Sequence, residues 1–232
     1  MPDGPADSAR LTRSAVLVAA LALVDAEGLE LLTMRRLAGS LHVDPMMLYR
    51  HARDKEDLLD GLTSLIYESL QIDPAASDWR EEVHRFAGDW RRTLLDHPRV
   101  VPLLAVRPLV VPLAQRPRAA LDLTEDVLVL LAGAGLSQEQ AIECYRAIVS
   151  WLIGALLTEI RVVEATPTEP DSAIRLGFQH LPPGQYPHVR TAADALAHDH
   201  GERRFHTGLD ALLDSFAPGT SLEGGQGARR DP

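Results

Sequence analysis

Between Thr33 and Leu59 every helix start signal falls within a few residues of the previous stop, so the chain there has room only for short helices crossing at sharp angles. Thr33 and Asp44 are residue types whose side-chain oxygens satisfy the orphan backbone donors of a helix start, and Thr12 stands in the same role upstream. Each is flanked by apolar residues that can staple the entering chain: Leu11 with Val16, Leu32 with Leu37, Val43 with Leu48. Pro45 falls at the first helical position after Asp44, where a missing N–H is no loss. Gly28 suits the position just past a helix end. The spacing predicts helices over 12–27, 33–41 and 44–51, with a fourth opening at Asp54-Lys55-Glu56-Asp57-Leu58-Leu59. Only His42 and Val43 separate the second and third, which leaves a tight turn. Val16, Leu23, Leu37, Ala38, Leu41, Val43 and Leu48 form the expected core of this unit.

The far side of the third helix is unusual. Met46 and Arg50 lie about 160° around the axis from Leu48, at about 100° per residue. Arg53 joins them, and Met47 and Tyr49 sit on the flanks. An outward face of Met, Tyr, Arg and His is a poor ordinary surface and a good one for a DNA groove. There Arg binds guanine edges and apolar groups meet thymine methyls. The blander alternatives are that Met46 and Met47 are core, and that Arg35 and Arg36 are a solvated helix face.

Net charge −10 argues at first against nucleic acid. Its distribution reverses the argument. Arg35, Arg36, Arg50, Arg53 and Lys55 face only Asp44 and Asp54 in the segment 33–55, a local balance of +3. Binding follows the local patch that meets phosphates, not the total. Lys55 is the sole lysine of the chain and sits just inside a helix start, where it opposes the helix dipole unless a phosphate lies near.

The 232 residues suit one or two domains. No apolar run reads as long enough to span a membrane, and the opening Met1-Pro2-Asp3-Gly4 does not read as a signal peptide. Cys144 is the single cysteine; it permits no intrachain disulfide, reads as helix packing, and fits a reducing cytoplasm. There is no Gly-rich phosphate loop, no nucleophile elbow and no strand to carry either. Glu56, Asp57 and Asp60 read as a solvated helix face, so an enzyme is not expected.

Past a linker at 72–76 the chain reads as helix throughout. Asp78-x-x-Glu81 caps a helix reaching about 96, and Pro102, Pro108 and Pro112 are expected to break the next stretch into short pieces. Another helix covers about 116–132, ended by Gly133 and Gly135. Ser137-x-x-Gln140 is a capping box opening a long helix that is apolar on more than one stripe. The Pro- and Gly-rich stretch 163–187 reads as a long loop, followed by helices near 189–198 and 203–216. Residues 217–232 read as a disordered tail. His198, Asp199, His200, Glu202 and His206 invite a metal hypothesis, but their spacing matches no established pattern, so neither a metal nor another cofactor is expected.

Leu37-Ala38, Leu41, Val43, Leu48-Tyr49, His51, Lys55 and Leu58-Leu59 together make residues 10–70 resemble the DNA-binding domain of the tetracycline-repressor (TetR) family. One departure is His42, where relatives often carry Gly; His tolerates a left-handed conformation better than most residues. The resemblance implies that Arg35 meets a base or phosphate. It implies that Pro45, Met46, Met47, Arg50 and His51 face the groove, and that Tyr49 and Lys55 hold phosphates. Thr33 and Arg36 complete the expected contacts. Trp90-Arg91-Arg92-x-Leu94-Leu95-x-His97, Arg107-Pro108 and Phe205-x-x-Gly208-Leu209-x-x-Leu212-Leu213 extend the resemblance, more weakly, across 71–216.

By that resemblance the fold is all-α: a three-helix helix-turn-helix DNA-binding domain, then a larger helical ligand-binding and dimerisation domain. Phe86, Trp90, Leu103, Leu104, Arg107, Pro108 and Trp151 would line or border an effector pocket, although large aromatics such as Trp90 and Trp151 also serve as plain core. Ile148, Leu152, Leu156, Leu209, Leu212, Leu213 and Phe216 would form a homodimer interface. The tetracycline repressor holds its drug's magnesium through a His and a Glu. The approximately aligned Leu103 or Leu104 and Thr158 are poor ligands for that ion. The apolar run from Val100 to Val111 points instead to a hydrophobic or aromatic effector. The expected protein is a dimeric repressor released from a palindromic double-stranded operator. The rival is an all-helical small-molecule-binding or hydrolytic protein without DNA affinity.

Overall fold

The computed structural model describes residues 11–165, 171–197 and 201–217, and among them every regular element is helical. Helix α1 (Arg13–Glu27) starts where Thr12 Oγ1 accepts the Ala15 N–H at 3.1 Å. It stops at Gly28, which takes φ +96° and donates its N–H to the Val24 carbonyl. α2 (Met34–Ser40) and α3 (Pro45–Leu48) are capped by Thr33 and Asp44, as the spacing predicts. In the turn between them His42 adopts φ +54°, the left-handed conformation that the turn demands. α3 is shorter than the predicted 44–51. The N–H groups of Arg50 and His51 donate to carbonyls three residues back, so the chain tightens out of α geometry after one turn.

α4 (Lys55–Glu68) is capped by Asp54 and lies along α1. Gly61 permits the approach, since a Cβ there would stand 2.4 Å from Leu17 Cδ2. α4 also packs on α6 (Val101–Val110) and α7 (Arg118–Gly133), and therefore belongs to both halves of the molecule. A second tie joins the halves: the His97 ring Nδ1 lies 2.7 Å from Asp25 Oδ2 on α1. The buried apolar cluster accordingly runs without interruption from Val16 to Leu213.

α5 (Trp79–Asp96) is capped by Asp78, whose carboxylate accepts the N–H groups of Arg80 and Glu81. Pro112 breaks the following stretch as expected, standing between α6 and a 3-10 turn at Leu113–Gln115, but Pro102 and Pro108 do not. Pro102 sits in the first turn of α6, where no donor is needed, and Pro108 in the last turn, where only one intrahelical bond is forgone. α8 (Gln138–Ala165) opens with the expected capping box: Ser137 N–H donates to Gln140 Oε1 at 3.0 Å, and Gln140 N–H to Ser137 Oγ at 3.3 Å.

By length and composition Gln138–Ile160 could cross a membrane, which corrects the expectation that no such run exists. In this fold it is the axis of the larger domain. Cys144, Ile148, Leu152 and Leu156 are buried, and α5, α6, α7 and α12 (Gly201–Asp214) pack around it. Burial pushes the Cys144 thiol up to about 12, consistent with its expected packing role.

The predicted loop 163–187 is also corrected. α8 continues to Ala165 and α9 (Asp171–Gln179) follows, packing against α10 (Pro187–Thr191) and α11 (Ala193–Ala197). Ala193 and Ala197 are buried there, and the Arg190 guanidinium donates to the Leu181 carbonyl at 2.7 Å. Short helices between Pro and Gly residues show too little periodicity to be read from sequence. The tail 218–232 lies outside the described residues, as do His198, Asp199 and His200 of the metal hypothesis. Among the described residues no three His, Cys, Asp or Glu side chains converge as a metal site.

Candidate nucleic-acid interface and internal cavity

Leu48 is fully buried and anchors α3, while Met46 is 72% exposed, Tyr49 50% and Met47 43%. Pro45, Arg50 and Arg35 are also exposed, and Thr33 caps α2. The outward reading of Met46 and Met47 therefore prevails over the core reading. His51 and Lys55 are half-buried at the turn into α4. Arg36 differs from the others: its Nε pairs with Glu27 Oε2 of α1 at 2.5 Å, so its charge is partly committed within the protein.

Arg13 was not among the candidates, yet it ties this surface together. Its guanidinium donates to the His51 carbonyl and pairs with Asp57 Oδ1 at 3.0 Å. Asp57 Oδ2 also accepts the Arg53 N–H at 2.9 Å. The Arg13 hydrogen bond, followed by the Arg53 N–H, holds the Asp57 carboxyl below its ordinary value. The clamp fixes the junction of α3 and α4 against α1. No local signal marks it, because 44 residues separate the partners.

The larger domain holds a partly open cavity of about 70 Å³, walled by α4, α5, α6, α7, α8 and the segments flanking them. Of the expected lining residues Phe86, Trp90 and Leu104 are there. Leu103 is buried but is not part of the wall, and the side chain of Pro108 lies outside the described residues. Trp151 faces the other way, into a groove beside Gly208 of α12, where a Cβ would meet its ring at 2.2 Å.

Arg107 is a further correction. It is buried, and its guanidinium crosses to α4, donating to Glu56 Oε2 at 2.8 Å and, through Nε, to Asp60 Oδ1 at 2.9 Å. Two carboxylates of α4, both reaching solvent, hold it away from the main cavity. Glu56 and Asp60 are thus partners of a buried cation, not merely a solvated face.

Sequence reasoning missed Tyr67, Arg116, Thr124 and Tyr145, which supply the polar part of the wall. Thr124 Oγ1 and the Tyr145 hydroxyl are 3.0 Å apart. Burial, followed by the nearness of Tyr145, pushes the Tyr67 phenol up, with Arg116 acting in the opposite sense. These residues come from three helices and a turn, and nothing in their sequence spacing links them.

A family model described as "Bacterial regulatory proteins, tetR family" matches residues 16–62, and "Tetracyclin repressor-like, C-terminal domain" matches residues 73–217. The chain belongs to the TetR family. Its members are transcriptional regulators that bind DNA and respond to ligands. An HTH-type transcriptional regulator of Saccharopolyspora erythraea is 32% identical over 151 residues, 64% of this chain but only 61% of that protein's length. Tetracycline repressor protein class E of Escherichia coli is 29% identical over 212 residues, 90% of this chain and 92% of that one. The crystal structure of the Streptomyces coelicolor TetR family protein ActR in complex with actinorhodin matches with a TM-score of 0.78. It shares 26% identity and covers 92% of this chain and 100% of ActR.

Within this TetR-family chain the expected dimer residues need correction. Ile148, Leu152, Leu156, Leu209 and Leu213 are at most 3% exposed in the single chain, and Ile148 and Leu152 line the cavity. A side chain already covered by its own fold has almost no area left to bury against a partner. Leu212 and Phe216 remain half-buried on α12 and its end, and Ile153 and Leu157 are half-buried on α8.

Proposed function

We propose that the protein is a homodimeric repressor whose two α3 segments read a palindromic operator in successive major grooves, about 34–36 Å apart. The observation that carries this reading is the exposure of Met46, Met47, Tyr49 and Arg50 around a turn pinned by buried Leu48. Such a face presents a guanidinium and apolar groups where base edges would lie. Arg35, His51 and Lys55 flank it as further contacts, with Arg36 a lesser one because of Glu27. The dimer would form through the outer stripe of α8 and α12, carrying Leu157, Leu212 and Phe216. Residues 10–70 act as the DNA-binding domain and 71–216 as the effector and dimerisation domain, working in the cytoplasm.

The cavity is the seat of a small, largely apolar effector. Among the described residues its wall holds no carboxylate or imidazole, and Thr158 hydrogen-bonds back to the Gly154 and Ala155 carbonyls, which disfavours a magnesium–tetracycline chelate. Helix α4 is the lever: Tyr67 lines the cavity near its end, and Lys55 lies at its start beside α3. Arg107 grips the same helix through Glu56 and Asp60. A coupling of about 1–3 kcal/mol would change operator affinity roughly 5- to 150-fold.

The deciding experiment is gel retardation of fragments containing palindromes, at low salt, with and without added small molecules. A retarded complex of two chains per site, dissolved by an effector, is the expected result. Absence of retardation on every fragment overturns the repressor in favour of the ligand-binding protein without DNA affinity.

A further inference from the structure

One polar contact in the cavity wall has a direction, and that direction selects a ligand. Thr124 Oγ1 lies 2.7 Å from the Ala120 carbonyl, one turn back on α7. A carbonyl oxygen only accepts, so the single hydroxyl proton of Thr124 is committed to that bond. Thr124 Oγ1 also lies 3.0 Å from the Tyr145 hydroxyl of α8. With its own proton already placed, Thr124 is the acceptor in this second contact, and the Tyr145 proton points at Thr124. Tyr145 then offers the cavity the lone-pair side of its oxygen. Both residues line the cavity, together with Phe86, Trp90 and Leu152.

The arrangement resists reversal. Swinging the Tyr145 proton into the cavity sets two oxygens 3.0 Å apart with no hydrogen between them, unless the Thr124 proton turns as well. That second turn breaks the 2.7 Å bond to Ala120. A ligand acceptor opposite Tyr145 therefore meets lone pairs or costs a hydrogen bond, whereas a ligand donor is met at once. A wall that hydrogen-bonds one kind of group discriminates against analogues without it, because its own polar atom is left unpaired. The Tyr67 phenol of α4 is near enough to feel Tyr145, so a group bound at Tyr145 lies beside the helix proposed as the lever.

We propose that the effector is an aromatic ring bearing a donor, a phenolic O–H or a ring N–H, that bonds to the Tyr145 oxygen. This rests on the reading of the cavity as the effector site and adds the polarity of what that site selects. The apolar wall holds the ring, and the open side of the cavity lets a larger ring system extend outward. Tyr145 fixes which edge of the ring points inward.

Indole and benzofuran have nearly the same shape, but in the ring plane the first only donates and the second only accepts. Benzofuran is the more apolar, so burial alone favours it. Isothermal titration calorimetry of the full-length protein should show indole bound about fivefold more tightly, the size of one neutral hydrogen bond. Tyr145→Phe should erase that preference, weakening indole and leaving benzofuran within about twofold of its wild-type affinity. Thr124→Val, which keeps the shape and frees the Tyr145 proton, should tighten benzofuran about threefold. Phenol set against fluorobenzene should repeat the wild-type order and its loss in Tyr145→Phe. Benzofuran bound as tightly as indole by wild type overturns the donor assignment and leaves the effector cavity standing. So does an indole preference that survives Tyr145→Phe, or a benzofuran affinity untouched by Thr124→Val. If none of the four rings binds at any soluble concentration, the cavity reading falls and the donor assignment falls with it.

Discussion

The proposed reading surface takes its side chains from one stretch, Thr33 to Lys55, whereas the cavity takes its wall from five helices spread between Tyr67 and Ile153. In the first case local chemistry sets the geometry. Asp44 caps, Pro45 starts, Leu48 anchors, and Met46, Tyr49 and Arg50 are left outside by helical periodicity. In the second, each residue reaches the cavity only because an unrelated helix packs nearby. A site on a convex surface can be written in consecutive residues; a concave interior site needs several elements to enclose it.

That contrast can be broken most forcefully at its anchor. Leu48→Ala removes a fully buried side chain, and should destabilise the headpiece by roughly 2–5 kcal/mol. Thermal unfolding followed by circular dichroism would show it, together with loss of operator binding. If the melting point is unchanged, α3 is not held as described.

Arg50→Ala should leave the fold intact and weaken operator binding by about 1–3 kcal/mol, with relaxed preference at one base position per half-site. Equal weakening on every sequence would contradict base reading by this residue. Arg107→Met tests the joint between the two regions. It strands Glu56 and Asp60 without their cation, and because both carboxylates reach solvent the loss of stability should stay near 1–2 kcal/mol. The more telling readout is release by effector, which should be blunted even where effector binding persists.

Lys55→Ala should weaken all DNA sequences alike and lower the salt slope by about one per subunit. An unchanged slope would take Lys55 away from the phosphates. The smallest effect belongs to the Arg13–Asp57 clamp. The folded pKa of Asp57 is depressed, so its stabilisation is fully present above the ordinary carboxylate value of 3.8 and fades as pH falls through the lower folded value. Asp57→Asn should therefore cost under about 1 kcal/mol at neutral pH, since Arg13 is half-exposed. Melting points of wild type and variant should converge in acid; a constant gap down to low pH would show that the carboxylate's charge is not what matters.

Much of the architecture was legible because helix ends are written locally. Thr12, Thr33, Asp44, Asp78 and the Ser137–Gln140 pair each announce a start, and the structure honours all of them. Pro102 and Pro108 misled because a proline disrupts a helix only where its missing N–H would have been used, and that depends on register. The dimer assignment misled for a related reason. Ile148, Leu152 and Leu209 have the apolar spacing of an interface, but one stripe of a long helix looks the same whether its own domain or a partner covers it.

The amino-acid sequence alone determined an all-helical chain, a helix-turn-helix near its start, and which side chains of α3 face outward. Capping and periodicity act over a few residues, so their information lies along the chain. Tertiary packing alone decided that Arg107 reaches α4, that Arg13 clamps the α3–α4 junction, and that Arg116, Tyr67 and Tyr145 share one corner of a cavity. Those are encounters between distant segments, and their geometry is set by how helices stack.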